Sequence, residues 1–553
     1  MKRSFRFKVD DTMFQKGVSM KPLKAHALAL VTTLVLAFAA FYVYLPVINI
    51  KDQGSVIFLS CFIFLYGIFD GILCGKMTKI FRISSMVALG LMAMMIVGSI
   101  WSMEVFHASE LQAQIQVDDT VDFTKDFKEI SLSKIPVVDK DVAIVMGDKK
   151  LGEVQGLGSQ FDIDNTYTLV TIRDQIYRVA PLEYQSMIKW FQNREEGIPS
   201  YVKVNVNDPS DVTLVTLPQG MKLSPSAYFH ENLWRFVRMK YPTAMIQNYS
   251  FEIDDQDNPY WVLSVYEPKI GMYSGLDATG VILVNPITKE SKRYAMDEVP
   301  EWVDRVQPAE FAITQIDNWG YYIHGYFNTM FGQKDMLQVT DGYNYVAVDG
   351  NTHIFTGITS VGSDQSIVGF TLIDLRTKKA KFYRIGGADE YSAMSSAEGQ
   401  VQHLNYRATF PIILNVNGTP SYFVSLKDQE GLVKKYAFVA VRNYSYVGVG
   451  DTVQEAQANY LSLLHNSGLG NDTSKDPKET VTGKVALIES AIVNGNTIYY
   501  MLLEDQDTLF IVSITTSNEL AITKVGDEVR LEYYNTDSNA VNAISFDNHK
   551  YQY

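Results

Sequence analysis

The sequence predicts a three-helix transmembrane anchor followed by a multi-domain α+β ectodomain of antiparallel sheets with packed helices, and then a small C-terminal all-β barrel. Three observations predict it. Residues 26–103 hold three apolar segments in a row with almost no charge inside them. From residue 141 onward, short β-branched and aromatic runs alternate with a few amphipathic stretches, and one strand–turn–strand unit recurs 89 residues later. After residue 478 only strand signals remain, punctuated by glycines.

The spans cover 26–48, 55–75 and 83–103. About 20 apolar residues cross a hydrocarbon core, and a helix satisfies its own backbone there. Lys2, Arg3, Arg6, Lys8, Lys16, Lys21 and Lys24 precede the first span, and Lys76, Lys79 and Arg82 lie between the second and third. The loop 49–54 balances Lys51 with Asp52. The positive-inside rule puts the basic segment 1–25 and the loop 76–82 in the cytoplasm and residues 104–553 outside. The expected location is the cell membrane, multi-pass, and the bilayer is the first partner. The first span is too long, and too closely followed by others, for a cleaved signal peptide. Asp70 is the intramembrane polar residue. An acid in such a helix is a functional hypothesis by default. It stands six residues before Lys76, so pairing with Lys76, or water near the cytoplasmic end, accounts for it.

Charge is split along the chain. Residues 1–103 carry a net +7 and the remainder a net −21. So acidic an ectodomain repels nucleic acid and anionic headgroups and suits cationic partners, metal ions of the medium, or simple solubility. Both cysteines, Cys61 and Cys74, fall in the second span. The ectodomain therefore has no disulfide, a habit of exported Gram-positive proteins more than of secreted eukaryotic ones. The sequons at Asn248, Asn417, Asn443 and Asn471 read as turns and loops.

Residues 104–140 read as a connector that lifts the body off the membrane. In the α+β domain 141–225, strands are expected at 142–145, 167–172, 176–179 and 201–206, with a helix over 182–192. Gly147, Gly152, Gly156 and Gly158 lack the Gly-Lys-Ser/Thr ending of a phosphate loop, so β-turns account for them better. A helix is expected over 226–240, with Pro225 before it and Pro242 after. Strands follow at 245–253, 260–266 and 280–284. The acidic run 254–259 lacks EF-hand spacing and reads as a hairpin turn.

The repeat begins here. Gly280-Val281-Ile282-Leu283-Val284-Asn285-Pro286-Ile287-Thr288-Lys289 aligns with Gly369-Phe370-Thr371-Leu372-Ile373-Asp374-Leu375-Arg376-Thr377-Lys378. At the same offset Lys292 meets Lys381 and Tyr294 meets Tyr383. The unit is a strand, a tight turn at Asn/Asp-x-x-Thr-Lys, and a return strand. The unit is too small to bury a core alone, so the copies should pack side by side. The first occupies 226–306, the second 307–390 and a third 391–465. In the third, 403–410 leads into Pro411 as 234–241 leads into Pro242, with strands at 421–426 and 436–441. Leu233, then Tyr241-Pro242-Thr243-Ala244, Pro259-Tyr260-Trp261-Val262-Leu263 and the strand ending in Asn285-Pro286-Ile287-Thr288-Lys289 resemble PepSY-type domains, over residues 226–295 well and 340–450 poorly. The family's Asp-Pro-x-Thr-Gly turn appears without its Gly. The resemblance implies an exported or membrane-anchored module that binds or restrains peptidases or other envelope proteins, with no catalytic residues to carry over.

Residues 466–478 are a linker by composition. The last unit, 479–553, has strands at 481–490, 497–503, 508–514 and 528–534 and resembles a small OB-like barrel. Its net charge of −7 argues against the nucleic-acid role of many such folds.

No catalytic signature stands out. None of the eight histidines forms an HExxH or close i, i+4 pair, and no Gly-x-Ser-x-Gly elbow occurs. Glu298, Glu301 and Asp304, around Pro300 and Trp302, could serve as a hydrolase acid/base pair, but a solvated helix start explains them more simply. No cofactor or metal is expected. The expected function is a membrane-anchored binding, regulatory or scaffolding protein of a bacterial envelope. It would lack catalysis of its own, and a peptidase or cell-wall enzyme would be its client. An extracellular peptide or glycan hydrolase and a transmembrane sensor are the alternatives.

Overall fold

The computed structural model describes residues 20–127, 132–173, 175–348, 350–362, 366–466, 478–493, 496–514, 516–534 and 540–551. The basic residues before position 20, most of the 466–478 linker and the sequon at Asn471 lie outside them. Among the described residues, α1 (Pro22–Tyr44), α2 (Gln53–Cys74) and α3 (Lys79–Trp101) are long and apolar enough to cross a membrane. Local signals set their ends. Asp52 caps α2 by accepting from the Ser55 amide, and Gly75 ends it at φ +65°. Thr78 caps α3 by accepting from the Phe81 amide at 3.0 Å. The helices α2 and α3 approach closely at Gly67, where a Cβ would fall 2.0 Å from Ser84 Oγ.

The stretch read as a connector is woven into the body instead. α4 (Glu104–Gln112) buries Ala108 and Leu111 against Ile270 and Tyr322. β1 (Val117–Asp118) pairs in parallel with a distant strand at Ala380 and Lys381, and α5 (Phe123–Asp126) plants Phe123 in a core. The strand expected at 142–145 is helical, α6 (Lys140–Gly152). Its β-branched residues lose to the Asp139 cap, which accepts from the Val142 amide at 2.8 Å. Gly147 and Gly152 are thus helical, not in β-turns, and Gly147 leaves room for the Tyr167 hydroxyl, 1.8 Å from where its Cβ would stand. Gly156, at φ +89°, does occupy a turn.

The first sheet holds β2 (Phe161–Ile163), β3 (Thr168–Ile172), β4 (Gln175–Tyr184), β5 (Ile198–Asn205) and β6 (Val212–Met221). The helix expected over 182–192 is shorter and later: β4 runs through Tyr184, and α7 (Met187–Asn193) starts only at the Ser186 cap. Next come α8 (Leu233–Lys240), preceded by a 3₁₀ turn, and a meander ordered β10-β9-β8-β7, from β7 (Met245–Ile253), β8 (Pro259–Ile270), β9 (Ser274–Val284) and β10 (Ser291–Ala295). The second unit has α9 (Ala309–Tyr321), β11 (Leu337–Val339), β12 (Asn344–Val348), β13 (Asn351–Ser360), β14 (Ser366–Ile367), β15 (Gly369–Asp374), β16 (Ala380–Tyr383) and β17 (Gly387–Ala388). The third has α10 (Glu390–Gln400), β18 (Arg407–Ala408), β19 (Ile412–Val416), β20 (Thr419–Lys427), β21 (Val433–Ala440), β22 (Val447–Gly450) and α11 (Val453–Asn466). Its helix precedes the expected 403–410, where a 3₁₀ turn and β18 lie.

The repeat holds atom for atom. In the β9–β10 turn the Asn285 amide donates to Glu290 O at 2.9 Å, and in β15–β16 the Asp374 amide donates to Lys379 O at 3.0 Å. Asn285 Oδ1 accepts from the Ile287 and Thr288 amides, as Asp374 Oδ1 does from Arg376 and Thr377. Lys289 and Lys378 take φ +62° and +60°. A shorter version closes β7–β8 at Asp254 and β20–β21 at Asp428. The acidic run 254–259 is therefore a hairpin turn.

The units pack side by side through shared cores. Phe423 and Phe438 of the third unit join Trp261 and Ile282 of the first and Tyr201 of the first sheet. Tyr422, Val424 and Val439, on the opposite face by strand alternation, join Phe355 and Phe370 of the second unit. Gly448 lets α11 lie on β22, since a Cβ there would sit 2.2 Å from Tyr460 N. Gly448→Ala is expected to destabilise the body by about 1–3 kcal/mol, the usual range for overpacking, read as a lower unfolding temperature. No change would mean that the helix has room to shift.

The last unit is a closed barrel ordered β23-β24-β25-β27-β26, from β23 (Lys478–Val493), β24 (Asn496–Leu503), β25 (Leu509–Ser513), β26 (Glu528–Tyr534) and β27 (Ala540–Asn548). It has its own core, including Val485, Phe510 and Leu531.

Candidate functional site

Where the body meets the helix bundle, α8 contributes two arginines. Asn232 caps it, accepting from the Arg235 amide at 3.1 Å. That cap sets Arg235 and Arg238 three residues apart on one face. Arg235 Nε donates to Tyr42 O at 3.3 Å, and its guanidinium lies 4.4 Å from the Tyr42 ring centroid. Arg238 is buried; it donates to Leu45 O at 3.1 Å and to Ala244 O at 2.7 Å. Leu45 ends α1 in the left-handed conformation, φ +50°, which turns the chain there. The loop answers: the Ile48 amide donates to Pro242 O at 2.7 Å, and Asn49 Nδ2 to Thr243 O at 3.1 Å. At the end of α3, Ser102 Oγ accepts from the Met272 and Tyr273 amides of the β8–β9 turn at 2.8 and 3.0 Å. The body is seated on the bundle at both ends of this face.

Beneath α8 lies an open cavity of about 540 Å³. Ile57, Phe58 and Phe62 of α2 and Met245 of β7 form much of its apolar wall, and Asp52, Arg238 and Tyr266 supply polar groups. Apolar walls with a few converging polar groups are the usual make-up of a ligand pocket.

Asp70 lies at the far end of the bundle. It is fully buried, and its partner is not Lys76. One carboxylate oxygen takes His26 Nδ1 of α1 and the other the Thr78 hydroxyl at the start of α3. Asp70 and His26 face each other across the α1–α2 contact, a pairing that spacing within one span cannot reveal. Cys74, one turn on, brings its sulfur within 4.8 Å of the His26 and Asp70 ligand atoms. His26→Ala and Asp70→Ala are expected to show a coupling of about 0.5–2 kcal/mol in a double-mutant cycle on the detergent-solubilised protein. Strictly additive effects would show that the pair contributes nothing.

Glu298, Glu301 and Asp304 do not converge. Glu298 and Glu301 are exposed, and Asp304 is buried beside Glu252 of β7. No solvated helix start exists at Asp304. Ser250 Oγ and the Asp304 amide donate to Glu252 at 2.6 and 2.8 Å, and the Thr171 amide of β3 donates to Asp304 Oδ2 at 2.8 Å. Burial pushes both carboxyls up, and Asp304, with Glu252 beside it, reaches about 8. Arg376 fastens the same segment by donating to the carbonyls of Val299, Pro300 and Val303 at 2.7, 2.7 and 3.0 Å. The acid pair clasps the first sheet to the first unit, and Arg376 ties the second unit to the same segment. Glu252 escaped sequence reasoning because a single acid in the alternating strand 245–253 reads as solvent-facing.

No protein-family model matches the chain, and no curated protein matches it. The fold alone defines the class: N-terminal helices able to span a membrane, carrying a mixed α+β body rich in antiparallel sheet.

Proposed function

We propose that this protein is a polytopic, membrane-anchored scaffold or regulator of a bacterial cell envelope, acting by binding and without catalysis of its own. The observation that carries the proposal is the seating of the body on the bundle through Arg235, Arg238 and Ser102. A body made of units with shared cores and held in one pose at the membrane suits presentation of a surface to a client. The charge split and the basic loop 76–82 support a body outside the cell membrane. The helix followed by a four-stranded meander supports the PepSY-like reading of 226–306, and so a peptidase or cell-wall enzyme as client. The barrel's first strand pairs with both β24 and β26, and β25 runs parallel to β27, which supports an OB-like barrel. Its acidic surface turns it toward protein or glycan, away from nucleic acid. The hydrolase reading loses ground because Glu252 and Asp304 are sealed from solvent. A sensor role draws support from the buried His26–Asp70 pair in a bundle joined to the body.

Proximity crosslinking of the full-length protein in cells, with mass-spectrometric identification, tests the proposal. Recovery of a defined peptidase, wall synthase or surface complex is expected. Recovery of nothing above an unrelated membrane-protein control would sink it.

A further inference from the structure

The body exposes two sets of large apolar side chains, and each is tied to the body-facing end of a different membrane helix. In the first, α7 exposes Ile188 and Phe191, and its buried Trp190 links them to the exposed Phe229, with ring centroids 6.4 Å from Phe191 and 5.6 Å from Phe229. Arg235 fixes this set near α1 by donating to Phe229 O at 2.7 Å and to Tyr42 O at 3.3 Å. The second is the loop after α9, which presents Phe327, Met330 and Phe331. Its foot, Tyr322, is buried on Ala108 and Leu111 of α4 and lies beside the Glu104 carboxylate, three residues past the end of α3. The loop is built to hold its shape: His324 meets Asp335 at 2.9 Å, and Asn328 Nδ2 donates to Lys334 O at 2.9 Å. These six side chains are between 48% and 80% exposed. Water-facing surfaces rarely gather so many.

We propose that both sets are lipid contacts: the body lies on the membrane leaflet that faces it, with Ile188, Phe191 and Phe229 entering near α1 and Phe327, Met330 and Phe331 entering near α3. Continuity with the spans identifies the occupant. Trp101 stacks on Phe106 with centroids 6.0 Å apart at the end of α3, and Tyr44 is 79% exposed at the end of α1. Such aromatic residues mark the headgroup level, and each apolar set is joined to the chain close to them, the first through Arg235 to Tyr42 O and the second through Tyr322 beside Glu104. Side chains of an interfacial segment enter about 5–10 Å into the headgroup and acyl boundary. The helix α2 packs against both α1 and α3, so the two sets sit at separate points around the bundle. Two such contacts would fix the tilt of the body and so the height at which it presents its far surface. This inference concerns lipid alone and stands whether or not a client protein exists.

The test uses full-length protein in vesicles of phosphatidylcholine. A Cys61→Ser, Cys74→Ser background carries one fluorescent label, on Phe331→Cys, Ile188→Cys or, as a control, the exposed Tyr444→Cys. Doxyl-labelled lipid is expected to quench the labels at 331 and 188 several-fold more than the label at 444. Quenching equal to the control overturns the proposal. In unlabelled Phe331→Cys protein treated with copper–phenanthroline as oxidant, a disulfide between copies, together with no quenching of the labelled protein, assigns that loop to a second copy and also overturns the proposal. If the cysteine-free background does not fold, p-benzoylphenylalanine at 331 in the native sequence gives the same reading: a lipid adduct by mass supports lipid contact, and a protein adduct alone refutes it.

Discussion

Arg238→Ala is expected to release the body from the loop that joins α1 to α2. The guanidinium serves Leu45 O on the bundle side and Ala244 O on the body side, and the residue is 8% exposed. Removing it leaves Leu45 O and Ala244 O without their charged donor. An unsatisfied buried polar group costs about 1–3 kcal/mol, and the lost bonds are charge-assisted, so the junction should weaken by on the order of 3–5 kcal/mol. The Ile48 amide, which donates to Pro242 O across the junction, reports the change. Its hydrogen exchange in the full-length protein should accelerate by orders of magnitude. Arg238→Lys keeps the charge and loses the fork, so it should fall between the two. Arg235→Ala should do less, because Arg235 Nη1 bonds to Phe229 O at an exposed position. The barrel, with its separate core, is the internal control and should unfold as before. Unchanged exchange at Ile48 in Arg238→Ala would show that the junction rests on other contacts.

The parts of this structure that sequence makes legible are those with a local cause. Three apolar runs give the bundle to within a few residues, and the 89-residue repeat gives two hairpins whose turns match down to the Asx side chains of Asn285 and Asp374. The errors have one pattern. Residues 142–145 look like a strand because Val, Ile and Val are β-branched, but a single cap at Asp139 outweighs that preference. The segment 104–140 looks like a spacer because its contacts, such as Val117 with Ala380, reach across the chain. The sites that matter most are non-local in the same way. His26 with Asp70, Arg238 with Leu45 and Glu252 with Asp304 are each separated by 44, 193 and 52 residues. No spacing rule connects such residues. Of the residues singled out in the sequence, Asp70 and Asp304 proved to be buried polar centres, and neither kept its expected surroundings.

The acid pair makes stability depend on pH in an unusual direction. A carboxyl whose pKa is higher in the folded protein holds its proton longer there than in the unfolded chain. Stability then falls as pH rises between the two values. Burial and the neighbouring Glu252 raise Asp304 from 3.8 to about 8, so the window runs from about 4 to about 8. Glu252 is raised too, as are Glu390, whose oxygen accepts from the Gly357 amide at 2.6 Å, and Asp317, which accepts from Val339 at 2.9 Å. All of these act in the same direction. The carboxyls held low, such as Asp208 and Asp428 at the surface, act below about pH 4 and contribute little because they are screened. Detergent-solubilised protein should therefore lose stability steadily as it is taken from about pH 5 to about pH 8, and Asp304 alone should account for on the order of 3–4 kcal/mol of that loss. Asp304→Asn isolates its share. The amide oxygen can still accept from the Thr171 amide, but the group no longer titrates. The variant should show a flatter profile and a higher unfolding temperature than wild type near pH 8, and the difference should shrink near pH 5. Parallel profiles for the two proteins would mean that Asp304 is solvated and ionised in the native body, which would break the clasp between the first sheet and the first unit.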